Sequence, residues 1–437
     1  HRIVVHVFSV LMMFVVVVPR VCGAGEKIGV MTLEMCMAEV VDNNWGLKAK
    51  AEAVARSEYV EKQAKADFYP KLATGYGYNR LNRVPGITIG GATIPFGSRD
   101  NYSWNVTVTQ PLFTGYALTA AHELSRLGVE TGGLDFEMER LDLVLRAKEA
   151  YFAVLEADKG VEVARSAVES LESNVKVARD FFNVGIIPVN DVLKAEVELA
   201  KARQNLVAAL NGASMARSSF NTVLSRPIET AVLLEDILIY KPIDGDFQDY
   251  VDRALKQRPE MKMLAAAIAG ADQEIVLARS AYYPEVGLTY RYVREGDDPD
   301  VRGSTTHDSS SWDVTAGLSW TLWHGGKTRS SVAEKKRLRA ELLYNRKTVE
   351  DSVKLEVKSA VLSLDEAEKN IPTTQKALEQ AEENLRVNEE RYRAQVTTIT
   401  EVLDAQTLLT RARVDYYRAL YGHNVAFGRL LRAMGEQ

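Results

Sequence analysis

The chain states one pattern twice, and this duplication constrains its fold more than any other feature. Phe68-Tyr69-Pro70 returns as Tyr282-Tyr283-Pro284, 214 residues later. Further on the offset settles at 210. Pro111-Leu112-Phe113-Thr114-Gly115 falls on Thr321-Leu322-Trp323-His324-Gly325, Asp191-Val192-Leu193-Lys194-Ala195 on Glu401-Val402-Leu403-Asp404-Ala405, and Ala202-Arg203 on Ala412-Arg413. A period above 200 residues marks a duplicated domain, not a solenoid. The four-residue loss lies between the two proline landmarks, where one hairpin-loop length change accounts for it. Each copy (25–224 and 251–437) reads as a helix, a β-hairpin, a very long helix and a return helix. The hairpins are expected over 72–112 and 286–322, the long helices over 116–184 and 327–393, and the return helices over 191–224 and 401–434.

The long helices carry an apolar residue at alternating spacings of four and three. In the first copy these are Leu143, Ala147, Ala150, Val154, Ala157, Val161, Ala164, Val168, Leu171, Val175, Ala178 and Phe182. In the second they are Val353, Val357, Ala360, Leu364, Ala367, Ile371, Thr374, Leu378, Ala381, Leu385, Asn388 and Tyr392. A period of 3.5 sustained this long specifies coiled-coil packing. A continuous helix from Tyr116 to Val184 would be about 100 Å long at ~1.5 Å per residue. The return helices continue the seam through Val192, Ala195, Leu199, Ala202, Leu206, Ala209, Ala213, Ala216, Phe220 and Val223. Pro372 stands inside the second long helix where the first has Glu162, which predicts a kink in one copy only. Residues 225–250 join the copies with Pro227, Pro242 and a short apolar run, and are expected to pack around the middle of the rod.

The hairpins alternate in a way that leaves one face apolar with aromatic ends and the other small and polar. Leu72, Thr74, Tyr76 and Tyr78 share a face with Tyr102, Trp104, Val106 and Val108. In the second copy Val286, Leu288, Tyr290 and Tyr292 share one with Trp312, Val314, Ala316, Leu318 and Trp320. Strands of about ten residues with this pattern suit an outer-membrane barrel, its aromatics toward lipid and its polar face toward a wet lumen. A half-buried sheet packed on helices is the competing reading. Four strands cannot close a barrel, and open edges are not tolerated in lipid, so several chains must each contribute two hairpins. The loops Arg83–Asn101 and Arg294–Ser310 would face outside, the first rich in Gly and Pro and the second acidic.

Composition narrows the function classes. Residues 1–24 read as an export signal: Arg2 precedes the apolar stretch Val7–Val18, and Cys22-Gly23-Ala24 offers a cleavage point. That stretch is shorter than the roughly 18 apolar residues of a membrane-spanning helix. Cys22 also admits lipid modification, although Val21 stands where a small residue should precede it. Removing this segment takes two arginines and no acids, leaving 52 Lys+Arg against 59 Asp+Glu, a net charge of −7. A mildly acidic chain without basic clusters gives no reason to expect nucleic acid. Cys36 would then be the only cysteine, so no internal disulfide is expected. Six scattered histidines offer no metal-ligand spacing, and no cofactor loop or nucleophile motif appears, so no enzyme is expected.

In order and in duplicate, the landmark residues resemble the TolC-like outer-membrane efflux proteins across essentially the whole exported chain. The matches are the Tyr-Pro entry to each hairpin, Gln110 through Gly115 at the exit of the first, and Phe182-Asn183-Val184-Gly185-Ile186 through Asp191-Val192 with its counterpart from Tyr392 to Ala405. The resemblance implies a mainly α chain with a membrane β-barrel portion: a homotrimer of twelve strands continued by twelve helices as a tunnel across the periplasm. It implies a periplasmic adaptor and an inner-membrane pump or ABC transporter as partners, with passive export through the duct. The turns Asn183–Asn190 and Ala394–Thr400 would form the periplasmic tip. There Asn183, Val184, Gly185, Ile186, Tyr392, Val396 and Thr397 would dock the adaptor, while Glu401, Asp404 and Asp191 would constrict the pore. Thr398-Ile399-Thr400-Glu401 is also a capping-box pattern and Asp191 follows Asn190 at a helix start, so these acids have a purely structural reading too. The best-known member of the family holds its tip shut through an arginine in the second turn, where this chain has Thr397. The barrel aromatics Tyr76, Tyr78, Tyr102, Trp104, Tyr290, Tyr292, Trp312 and Trp320 would face lipid. A protein-secretion outlet shares this architecture, and a soluble periplasmic coiled-coil scaffold shares its helices but not its strands.

Overall fold

The computed structural model describes residues 29–95, 97–237, 245–304 and 308–437. The export-signal segment with Cys22 and residues 238–244 of the linker lie outside the described residues. The first unit runs α1 (Leu33–Asn43), α2 (Trp45–Ala66), β1 (Lys71–Arg80), a ribbon of β2 (Gly86–Ile89) and β3 (Ala92–Pro95), β4 (Asp100–Thr114), α3 (Ala117–Asn183) and α4 (Val189–Val223). The second runs α5 (Phe247–Gln257), α6 (Pro259–Ser280), β5 (Glu285–Gly296), β6 (Ser310–Ser319), α7 (Lys327–Arg393) and α8 (Ile399–Met434). Among the described residues no helix is long and apolar enough to cross a membrane.

The duplication is finer than the sequence pattern indicated. α1 and α5 have 11 residues each, α2 and α6 have 22, and α3 and α7 have 67. The opening helix expected of each copy is therefore a pair. The break falls at Asn44 and Arg258, which hold ψ at 126° and 130°. Asn44 caps α2 by accepting the Leu47 N–H at 3.1 Å, whereas α6 starts on Pro259, whose missing N–H is no loss there. α5 also sets the start of the second unit at Phe247, inside the stretch read as linker. The return helices begin two residues earlier than expected, at Val189 and Ile399.

One ion pair survived the duplication with its charges exchanged. Glu39 on α1 meets Arg226 just past α4, and Arg253 on α5 meets Glu436 just past α8. Each pair ties the first helix of a unit to its last. Both last helices close on the same reversal, with Ser225 and Gly435 at positive φ and the next N–H bonded back to Asn221 and Leu431.

The four long strands form one antiparallel sheet in the order β1-β4-β5-β6, so the two hairpins join through β4 and β5. Leu72 pairs with Val108, Tyr76 with Trp104 and Tyr78 with Tyr102. Tyr292 pairs with Val106 on one side and Trp312 on the other, which brings the expected aromatic residues other than Trp320 onto one face. Trp104 Nε1 donates to Thr74 Oγ1 at 3.0 Å, satisfying a polar group on that face. β1 and β6 are the sheet's free edges. β6 stops at Ser319, short of the expected 322, and leaves Trp320 and Leu322 exposed beyond the sheet. The first loop contains the β2–β3 ribbon, unexpected from the sequence, which turns at Gly90-Gly91 with both φ angles positive.

Three apolar clusters hold the helices together. The middle one joins Cys36, Val40, Leu143, Tyr151, Phe152, Phe220 and Tyr421. Residues 232–237 lie against it: Met31 bridges Leu234, and the Tyr151 hydroxyl lies 2.7 Å from the Glu235 carbonyl. A neighbouring cluster packs α5 against Val353, Val357 and Leu364 of α7 and the end of α8. The third lies near the far turns and joins the seams of α3, α4, α7 and α8. Most of the expected seam is buried, but Phe182, its last position, is exposed. α7 runs as one helix through Pro372.

Candidate functional site

The turns between the long and return helices are built twice on the same backbone. α3 ends with Gly185 N–H bonded to Phe182 O and Ile186 N–H bonded to Phe181 O, both at 2.9 Å. α7 ends with Gln395 bonded to Tyr392 O and Val396 to Arg391 O at the same distances. This reversal needs one residue in the left-handed region. Gly185 supplies it at φ 77° without strain, whereas Gln395 must adopt φ 61° against its own Cβ. Gln395→Gly is therefore expected to stabilise the second turn by about 0.5–1 kcal/mol. Slower amide hydrogen exchange across residues 391–397 would show it.

Around these turns the expected docking residues divide. Asn183, Val184, Gly185, Ile186 and Val396 are exposed, and Thr397 is half-buried. Tyr392 is not on the surface. It lies in the coiled-coil core with its ring 5.5 Å from that of Phe181, and its hydroxyl has no hydrogen-bond partner among the described residues. Burial, with the Asp191 charge nearby, pushes the Tyr392 phenol above its usual range. Its position fits a group that sets the spacing of α3 and α7.

The expected acids lie just beyond the turns, Asp191 and Glu401 on the first turns of α4 and α8 and Asp404 one turn further along α8. Glu401 and Asp404 are exposed and Asp191 is half-buried. Thr398 is the N-cap of α8 but makes no side-chain cap bond, so the capping box suggested by its sequence is not formed. α4 is capped by Pro188, likewise without a side-chain bond. Between the two helix starts runs an open groove of about 470 Å³, lined by Asn190, Leu193, Lys194 and Val197 on one side and Thr400, Leu403, Asp404 and Thr407 on the other.

Lys194 was missed as a site residue. It occupies in the first copy the position that Asp404 occupies in the second, so the motif alignment already paired the two with opposite charge. Its Nζ lies 3.4 Å from Thr400 Oγ1 and 3.9 Å from Asp191 Oδ1. The groove thus holds a cation beside its acids.

A family model finds the two halves of this sequence separately. The model of the outer membrane efflux proteins matches residues 37–223 and again 250–436. The chain belongs to this family. Among its relatives, the outer membrane protein TolC of Escherichia coli is 23% identical over 406 residues, 89% of this chain and 78% of that protein. The alkaline protease secretion protein AprF of Pseudomonas aeruginosa is 25% identical over 280 residues, 62% of this chain and 56% of AprF. The crystal structure of the Campylobacter jejuni CmeC outer membrane channel superposes with a TM-score of 0.80 at 16% identity, over 92% of this chain and 85% of that one. This efflux protein is therefore an outer-membrane channel component that extends into the periplasm, and its family works with adaptor and inner-membrane partners.

Proposed function

We propose that three copies of this efflux protein assemble into a passive exit duct for small molecules. Twelve strands would form its barrel and twelve helices its periplasmic tunnel. The observation that carries this reading is the sheet with its free edges β1 and β6 and one face bearing aromatic residues; Trp312 is 68% exposed in the single chain. Edge strands cannot stay unpaired in lipid, where no water satisfies their N–H and C=O groups, so β6 of one copy would pair with β1 of the next. Tyr76, Tyr78, Tyr102, Trp104, Tyr290, Tyr292, Trp312 and Trp320 then face lipid.

At the other end, Asn183, Val184, Gly185, Ile186, Val396 and Thr397 would meet the periplasmic adaptor, with Tyr392 supporting them from inside. Glu401, Asp404 and Asp191 would converge near the threefold axis and favour cations, opposed by Lys194. The inner-membrane pump or ABC transporter would supply the energy. A protein-secretion outlet is the second reading, favoured by the similarity to AprF.

Cross-linking followed by single-channel recording of the purified protein in planar bilayers tests the assembly. The expected result is a trimer with a small, cation-preferring conductance. A monomeric species without channel activity would refute it.

A further inference from the structure

The two halves of the chain repeat in register, residue for residue. Adding 214 to a β1 residue and 210 to its β4 partner turns every β1–β4 pair into a β5–β6 pair: Lys71–Thr109 becomes Glu285–Ser319, and Arg80–Asp100 becomes Arg294–Ser310. The same two shifts carry α2 onto α6 and α3 onto α7, end to end. One joint between the halves lies inside the chain, where β4 pairs with β5 and α3 packs on α6. The equivalent elements at the sides of the chain are β6 with α7 and β1 with α2, and β6 and β1 are free edges.

The internal joint has a built corner. β4 runs on to Thr114 because β5 pairs with it as far as Glu285. Phe113 stands nearly perpendicular to Tyr116 and to Tyr283 of the other half, with ring centroids 5.5 and 6.4 Å away. Gly115 lies so close to that half that a Cβ would come within 2.6 Å of the Ser280 carbonyl oxygen. The second half carries the same parts, but at the side of the chain. Trp323, the counterpart of Phe113, is 81% exposed, and Tyr69, the counterpart of Tyr283, is 59% exposed. Gly325 has the backbone of Gly115, φ 57° against 61°, yet a Cβ there would meet nothing within 4 Å in the chain. β6 stops at Ser319, where β4 continues.

The helices give a charge match at the same side. A Cβ on Gly270 of α6 would touch Leu124 of α3 at 3.7 Å, so these positions face each other across the internal joint. Their counterparts are Arg56 on α2 and Glu334 on α7, both exposed and of opposite sign.

We propose that the joint between copies repeats the joint between halves, so that each free side is covered by the opposite side of a second copy in one defined register. Leu318 stands opposite Tyr76 of the next copy, as Val108 stands opposite Tyr290, and Ala316 opposite Tyr78 of the next copy, as Val106 stands opposite Tyr292. Residues 320–324 then continue β6. Trp323 comes opposite Leu72 and against Tyr69 of the next copy, and Glu334 faces Arg56 of the next copy. A one-residue slip would turn the apolar face of β6 into the lumen, whereas a two-residue slip would keep it outward. Alternation alone therefore does not select this register; the internal repeat does. The inference rests on the proposed assembly and adds to it the register and the residues that lock it.

Cysteine pairs in the full-length protein, oxidised in its own membrane and run without reductant, test it. Leu318 and Tyr76 lie on opposite edges of the sheet, so a bond between cysteines there joins copies. Leu318→Cys with Tyr76→Cys should give covalent trimers. Leu318→Cys with Thr74→Cys or with Tyr78→Cys should give roughly tenfold less, because a two-residue shift takes the Cβ atoms from about 5 Å to about 7–8 Å apart, beyond disulfide reach. Cys36 is buried, and the single-cysteine variants serve as blanks. A second pair, Glu334→Cys with Arg56→Cys, lies outside the sheet at two exposed helix positions and should be joined by a short bifunctional thiol reagent even if the strand variants fail to assemble. Amine cross-linking of the parent counts the copies independently. A shifted strand pair linking best, or no link at either site in an intact trimer, overturns the register and leaves the assembly standing. A monomeric parent overturns both.

Discussion

A channel carrying Glu401→Ala and Asp404→Ala is expected to lose its cation preference, and Lys194→Ala alone is expected to strengthen it. Glu401 stands on the first turn of α8, and Asp404 and Lys194, one turn further along α8 and α4, line one groove between the two helices. With Asp191 included, each copy contributes three acids and one lysine, a net charge of −2. In a threefold assembly that makes −6 near the axis. Removing Glu401 and Asp404 leaves Asp191 against Lys194, a neutral tip. A single carboxylate about 4 Å from an ion in water is worth about 1 kcal/mol. Several acting together would change selectivity and block by multivalent cations by on the order of tenfold or more. Reversal potentials under a salt gradient measure both arms. An unchanged reversal potential in the double variant would remove these acids from the conduction path. No change on Lys194→Ala would remove the lysine. Salt above about 1 M should erase the difference, because screening then acts within ~3 Å.

Much of this architecture was legible because it is periodic. The 3.5-residue seam placed Val357, Val192 and Ala195 inside the rod, and the two-residue alternation placed Tyr76, Trp104, Tyr292 and Trp312 on one face of one sheet. Both are local statements about which side of an element a residue occupies. What stays hidden is which element stands opposite. Glu39 and Arg226 lie 187 residues apart, and nothing in their neighbourhoods indicates that they meet. Only the repeat arithmetic, which sets the reversed pair Arg253 and Glu436 beside them, carries that signal. The break between α1 and α2 was hidden for a different reason. A single asparagine at extended ψ interrupts a pattern that reads equally well as one helix, and only the unit-two proline at Pro259 hints at it. Tyr392 was misplaced because the turn motif drew it to the tip surface, whereas its own heptad position had already put it in the seam. Phe182, its counterpart in the first copy, carries the same two patterns and is exposed, so the overlap resolves differently in the two units.

Glu260→Gln is expected to give the largest loss of stability among single substitutions away from the barrel and tip. The carboxylate lies at the start of α6, 2.9 Å from both Arg258 and Arg432, and these two guanidiniums are nearly buried. Arg258 reaches on to Glu356 at 2.6 Å, and Arg432 also meets Asp142, so the network joins α3, α6, α7 and the end of α8. Burial alone would raise the Glu260 carboxyl. Hydrogen bonds and charge from Arg258, with Arg432 adding to them, outweigh it and lower the group from 4.5 to about 2. A group held below its unfolded value stabilises the fold fully above that value and loses the contribution as pH falls toward the folded one. The window therefore runs from pH 4.5 down to about 2. At about 1.4 kcal/mol per unit the contribution is about 3 kcal/mol at neutral pH. Neutralising the carboxylate also leaves two buried arginines under-compensated, a fault that typically costs about 3–5 kcal/mol. Thermal midpoints of the purified protein, followed from pH 7 to pH 2, separate the two states. The parent should lose stability through the window while Glu260→Gln, already weakened at pH 7, follows a flatter course. Parallel curves would mean that Glu260 does not carry this linkage and that the arginines are held by Asp142 and Glu356 alone.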